Sequence, residues 1–199
     1  MRRVAVGLLL AAIGCGSSAA SSGTCGKVSP CGGDLTGTWT LTGSCADLAT
    51  QPALSCPDER IDSWTPTISG TWTFNADMTY TRSTTSSAVV VWSIPLSCIS
   101  ALASSCADFE AQAQAGLNPD QTITCTGTST CLCTETAGPL NQSDNGTYQT
   151  SGTDITYTSA VDGTTGTSSY CVQGSTLHLV TLDARAASGI GADLIGEKR

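Results

Sequence analysis

Eleven cysteines carry most of the reactive chemistry in this 199-residue chain. A thiol can ligate a metal, act as a nucleophile or form a disulfide. Zinc sites usually show C-x2-4-C pairs, often with histidine. Here the closest pair is Cys131-x-Cys133 and the chain has one histidine, so we expect no metal and no cofactor. Nucleophilic catalysis needs a positioned base beside its nucleophile. The only histidine, His178, lies in "TLHLVTL", where Leu177 and Leu179 take one face and His178 and Val180 the other. It reads as a strand histidine on an outer face. No G-x-S-x-G occurs, and the densest acidic cluster, Asp58-Glu59 with Asp62, sits in a Pro-containing loop and reads as solvated. A carboxylate pair drawn from the 16 acids cannot be recognised by spacing alone. Without a P-loop or G-x-G-x-x-G there is no support for nucleotide binding. No enzyme is expected. Oxidation to disulfides is the chemistry left for most of the thiols, which requires an exported chain.

The N-terminus supplies the export signal. Arg2 and Arg3 precede the apolar run 4–13, "VAVGLLLAAI". A membrane span needs roughly 20 apolar residues, so this run fits a cleaved signal. Ala12-Ile13-Gly14-Cys15 resembles the lipobox of bacterial lipoproteins. That resemblance implies a diacylglyceryl group on Cys15, cleavage before it and acylation of the new N-terminus. Two or three acyl chains hold a protein stably to a membrane where one does not. Gly16 rather than aspartate follows Cys15, which by resemblance to enteric sorting points to the outer membrane. Setting Cys15 aside leaves an even set: Cys25, Cys31, Cys45, Cys56, Cys98, Cys106, Cys125, Cys131, Cys133 and Cys171. Loss of residues 1–14 removes two basic residues and takes the formal charge from −8 to −10. Nucleic acid is therefore not an expected partner. Anionic headgroups would not attract this surface either, so the membrane is reached through the lipid on Cys15.

Residues 15–33 are Ser/Gly-rich and read as a lipidated tether. The folded domain is expected over 34–183, and 184–199 reads as a tail, frayed or docked as a short helix. Within the domain, period-two alternation bounded by Gly, Asn, Asp and Ser recurs in "LTGTWTL", "ISGTWTFN", "MTYTRSTT", "QTITCT", "TDITYTS" and "TLHLVTL". That is the signature of half-buried antiparallel strands, and threonine suits their solvated face. One segment differs. Residues 95–115 place Ile99, Leu102, Cys106, Phe109 and Ala113 at helical steps, with Pro95 to start and Gly116 to stop. Eight helical residues rise about 12 Å, beyond the roughly 7 Å between α-carbons that a disulfide spans. Cys98 and Cys106 should therefore each pin this helix to the sheet. Cys131 and Cys133 share a strand face and should seek different partners. We expect Cys25 with Cys31 and Cys45 with Cys56 to close local loops. Pairing within the remaining six is open.

About ten short strands in meander order with one inserted helix imply an up-and-down barrel or a strongly curved sheet. "LTGTWTLTG" resembles the G-x-W first strand of lipocalin-like barrels. "GTYQTSGTDITYT" and "SSYCVQGSTLHLV" resemble the closing hairpins of lipocalin-like domains in bacterial lipoproteins. The resemblance covers the first strand and the last four. It implies that Trp39 packs at the closed end against an arginine after the last strand, for which Arg185 is the candidate. A barrel interior lined by Trp39, Trp72, Phe74, Tyr80, Ile155 and Leu177 could then hold a small apolar ligand. The alternative is an envelope component with a filled barrel and no ligand, acting through structure or protein contacts.

Overall fold

A computed structural model describes residues 28–47, 56, 58–181 and 191–199. Nine strands form one antiparallel sheet: β1 (Gly37–Asp47), β2 (Arg60–Phe74), β3 (Thr79–Pro95), β4 (Gln121–Thr126), β5 (Thr130–Ser151), β6 (Asp154–Ser159), β7 (Thr165–Gln173), β8 (Thr176–Thr181) and β9 (Gly191–Lys198). Their order is β3-β2-β1-β9-β8-β7-β6-β5-β4, and β3 also pairs with β5. That last pairing closes an eight-stranded barrel and leaves β4 outside the ring on the flank of β5. The alternating apolar residues point inward and the threonines outward, which is why period two was so regular along the chain.

The C-terminal segment is neither a frayed tail nor a helix where it is described. β9 fills the gap between β1 and β8, with Asp193 opposite Cys45 on one side and Val180 on the other. Its sequence, "GADLIGEK", has one inward leucine and one inward glycine, too few apolar positions to show a period.

β2 begins well before the run 68–75 that alternation identifies. Pro66 conceals its first half, because proline cannot donate to a ladder. Here β1 pairs with β2 only from Gly37↔Phe74 to Leu41↔Gly70. Beyond that, β2 pairs with β3 alone, so Pro66 sits opposite Ala88 with its other edge unpaired. Gly70 stands at the parting with φ 122°, and a Cβ there would lie 2.1 Å from the Ser83 carbonyl oxygen. Glycine lets the two backbones approach at that bend.

The expected helix is two. α1 (Leu96–Ile99) and α2 (Cys106–Gly116) are separated by a break. Ser105 caps α2 by accepting from the Asp108 N–H at 3.1 Å. The break turns Leu102 outward, 67% exposed, while Cys106, Phe109 and Ala113 keep the core face. α2 then lies along the free edge of β4. Glu110 accepts from the Cys125 N–H at 2.6 Å and Gln114 from the Ile123 N–H at 2.9 Å. Covering an edge in this way removes a site for stray strand pairing.

Four disulfides are described: Cys31–Cys171, Cys56–Cys98, Cys106–Cys131 and Cys125–Cys133. Cys45 is disulfide-bonded as well. Cys131 and Cys133 do take different partners, and Cys98 and Cys106 do not bond each other. Cys106 ties α2 to β5. The two local loops are corrected. Cys56 bonds Cys98 rather than Cys45, because Arg60↔Ser93 pairing brings the chain before β2 beside the chain after β3. Cys31 bonds Cys171 rather than Cys25, because Gly32 runs parallel beside β7. Gly32 N–H donates to the Tyr170 carbonyl at 3.0 Å, and Val172 N–H donates to the Gly32 carbonyl at 2.8 Å.

Candidate functional site

The inward residues form two cores at opposite ends. At one end, Trp39, Trp72, Phe74, Tyr80, Ile155 and Leu177 all meet in one cluster. They fill it themselves. Trp72 stacks on Phe74 with centroids 5.2 Å apart, Phe74 meets Tyr148 edge-on at 5.1 Å, and Tyr157 meets Trp72 edge-on at 5.7 Å. Such offset and edge contacts stabilise beyond the buried area alone. Trp39 is fully buried and donates to the Leu35 carbonyl at 2.7 Å. The cation over its ring is Lys198 of β9, at 5.3 Å. Arg185, the expected partner, lies outside the described residues.

A polar layer crosses the interior above this cluster. Tyr80 donates to Asp144 at 2.6 Å, and Ser159 donates to its other oxygen at 2.7 Å. Arg82 faces the same carboxylate at 3.7 Å and lies over Trp72, 5.4 Å from the ring centroid. Burial opposes ionisation of Asp144, but the two hydrogen bonds and the guanidinium outweigh it and hold its carboxyl below the usual range. Burial first, and then the bond to Asp144, push the Tyr80 phenol well above its ordinary value, so it stays a donor.

Beyond the polar layer the wall opens where β1 and β2 part, and a cavity of about 600 Å³ lies there. Trp64, Pro66 and Ile68 of β2 form one side, Ser44 of β1 and Leu194 of β9 another. Ala88 of β3 with Ala137 and Leu140 of β5 make the back. The turn Asn118–Gln121 between α2 and β4 closes the top. None of the six aromatic and aliphatic residues picked from the sequence lines it. The large inward side chains are the ones that pack solidly. The lining falls on positions where alternation is interrupted by Pro66, Ser86 and Gly138. The signal that would have found it is the inward series Trp64, Pro66, Ile68, read through the proline.

His178 lies on the outer face, as its alternation implies. Its Nδ1 is 3.0 Å from an oxygen of Asp193, a buried carboxylate on β9. Burial raises the Asp193 carboxyl above its usual range, against the opposing effect of His178. Neither residue lines the cavity. Asp62 receives hydrogen bonds from Ser93 and from Arg60, the latter at 2.6 Å, and Asp58 is exposed. Among the described residues no group of His, Cys, Asp or Glu is placed to hold a metal. Cys15 and Cys25 lie outside the described residues. The chain matches no family model, no curated protein and no solved structure.

Proposed function

We propose that this chain is a lipid-anchored lipoprotein of a bacterial envelope, attached through Cys15 to the outer membrane, whose barrel holds a small apolar ligand in the cavity between β1 and β2. The observation that carries the binding reading is the cavity itself. It lies within the range of small-molecule sites, and its walls are mostly apolar with a few polar groups. The packed aromatic end favours the other reading, a structural envelope component, for that half of the barrel alone.

Cysteine parity supports the anchor. Eleven thiols cannot all pair within one chain. All nine described cysteines are bonded, so a cysteine left over is Cys15 or Cys25. Cys15 is the one in a lipobox-like context.

Native mass spectrometry of the protein purified from its own membrane tests both halves. We expect a chain beginning at Cys15 with diacylglyceryl mass on it, oxidised cysteines, and a retained small molecule. An unmodified Cys15 on an intact N-terminus refutes the anchor. A chain without added mass, unable to take up any apolar probe, refutes the binding role.

A further inference from the structure

One disulfide remains to be placed. Eight of the nine described cysteines pair among themselves, and the ninth, Cys45, is disulfide-bonded as well. Its partner is therefore Cys15 or Cys25, the two cysteines outside the described residues. Cys45 lies on the outer face, since it stands opposite Asp193, which reaches the outward His178. It also lies on the free edge of β1, past Leu41↔Gly70, where pairing with β2 ends and the cavity begins.

The chain before Cys31 can reach it. The Cys31–Cys171 bond fixes residue 31 against the outer side of β7. Across the sheet Cys171 lies opposite His178, His178 opposite Ile195, and Ile195 opposite Gly43. Three strand spacings are about 14 Å, and the two residues from Gly43 to Cys45 add about 7 Å along β1, so the path is roughly 16 Å. Six residues, from Cys31 back to Cys25, span at most about 20 Å. Cys25 therefore reaches Cys45 only by a nearly straight crossing over β8 and β9. Such a crossing accounts for a buried acid. Asp193 faces outward there and is 4% exposed, yet the helices pack on β3, β4 and β5. Val28 is already half-buried, while Ser29 and Pro30 are exposed. Sixteen residues back to Cys15 would leave slack and give no reason for this cover.

We infer that Cys25 bonds Cys45, so that residues 25–31 strap the outer face of β8 and β9 and the tether leaves the barrel beside the cavity opening. The bond rests on the geometry, and its consequence for the membrane rests on the lipidated Cys15 proposed above. As Sγ–Sγ forms, both thiols lose their protons, and two electrons pass to a disulfide-class oxidant, whose own S–S bond is reduced to two thiols. The stretch from Cys15 to Cys25 then has a coil reach of roughly 15–20 Å. The opening is held facing the bilayer, which stores apolar molecules.

Disulfide mapping tests the bond. The full protein from its own membrane, its free thiols capped with N-ethylmaleimide, is cut unreduced with trypsin and Asp-N endoproteinase. Cuts after Lys27 and before Asp34 and Asp47 release peptides 15–27 and 34–46. We expect these two joined, with fragmentation placing the bond on Cys25 and the lipid on Cys15. A bond through Cys25 with Cys15 unmodified keeps the strap and overturns the anchor. Lipid on Cys15 with Cys45 bonded elsewhere overturns this inference alone. A Cys15–Cys45 bond overturns both. Orientation is read in vesicles of phosphatidylethanolamine and phosphatidylglycerol with a diazirine on the headgroup. Cross-links should fall on residues 42–47 and 60–68 at least roughly threefold more often than on the turns 75–78, 152–153 and 174–175 of the aromatic end, because a short tether raises local concentration. Cys25→Ser with Cys45→Ser should erase that bias, with a thermal melt to verify folding. If that variant does not fold, the peptide map and the wild-type cross-links decide. No bias in the wild type, or a bias toward the aromatic end, overturns the placement of the opening while the bond stands.

Discussion

Asp144 of β5 is an interior carboxylate on which two other strands converge, through Tyr80 and Arg82 of β3 and Ser159 of β6. Its folded pKa lies below the unfolded value, so its contribution is present above the unfolded pKa and is lost as pH falls through the folded one. Asp144→Asn should therefore lower stability at pH 7 by about 1–3 kcal/mol, since hydrogen bonds to a charged acceptor are replaced by weaker ones. The gap from wild type should narrow once the pH drops below about 4, where the wild-type carboxyl takes up its proton. Urea midpoints at pH 7 and pH 2.5 measure this, and an undiminished gap at pH 2.5 would show that the charge is not the source. At this scale the sequence was partly legible. The inward Trp39, Trp72 and Phe74 followed from alternation. Asp144 did not, because an inward aspartate in "NQSDNG" looks like turn composition until Tyr80 and Arg82 are placed opposite it.

The excursion between β3 and β5 is the element that makes this barrel unlike a plain meander. α1, α2 and β4 extend the inward face beyond the ring and build the second core around Ile94, Ile123, Cys131 and Cys133. Helical spacing revealed the segment, and Cys106 pins it to β5 as expected, whereas Cys98 bonds Cys56 in the chain before β2 and not a strand of the sheet. The break was not legible, since Leu102 continues the apolar stripe and only the Ser105 cap and the Cys106–Cys131 bond draw the chain out of one helix. That bond joins residues 25 apart. Cys106→Ala with Cys131→Ala should cost about 3 kcal/mol in urea denaturation, the loop-closure effect for such a span. Hydrogen exchange should rise over α2 and β4 while the aromatic end, which the bond does not touch, stays protected. Uniform loss of protection at both ends would mean that the two cores unfold as one unit.

Closure of the whole molecule depends on β9. It is paired on both edges, with β1 and with β8, and it brings Lys198 over Trp39 and Asp193 to His178. Truncation after residue 190 would expose the edges of β1 and β8 and open the aromatic core to water. Loss on that scale exceeds the roughly 5–15 kcal/mol by which domains are stable. The truncated chain should lose its near-UV circular dichroism and elute as aggregates or as an expanded species. A compact, natively dichroic monomer would show that the ring stands without its closing strand.

By itself, the sequence determined the fold class and the inward and outward residues of most strands. Both rest on local information: a two-residue period and the composition of a turn. The partners of Cys31 and Cys56, the role of β9 and the position of the cavity were decided only by the tertiary structure. They depend on which strands lie side by side, and pairing between distant segments is set by the closure of the whole ring. The cavity is the clearest case. It lies where β1 and β2 stop pairing, and the end of a pairing leaves no period in either strand.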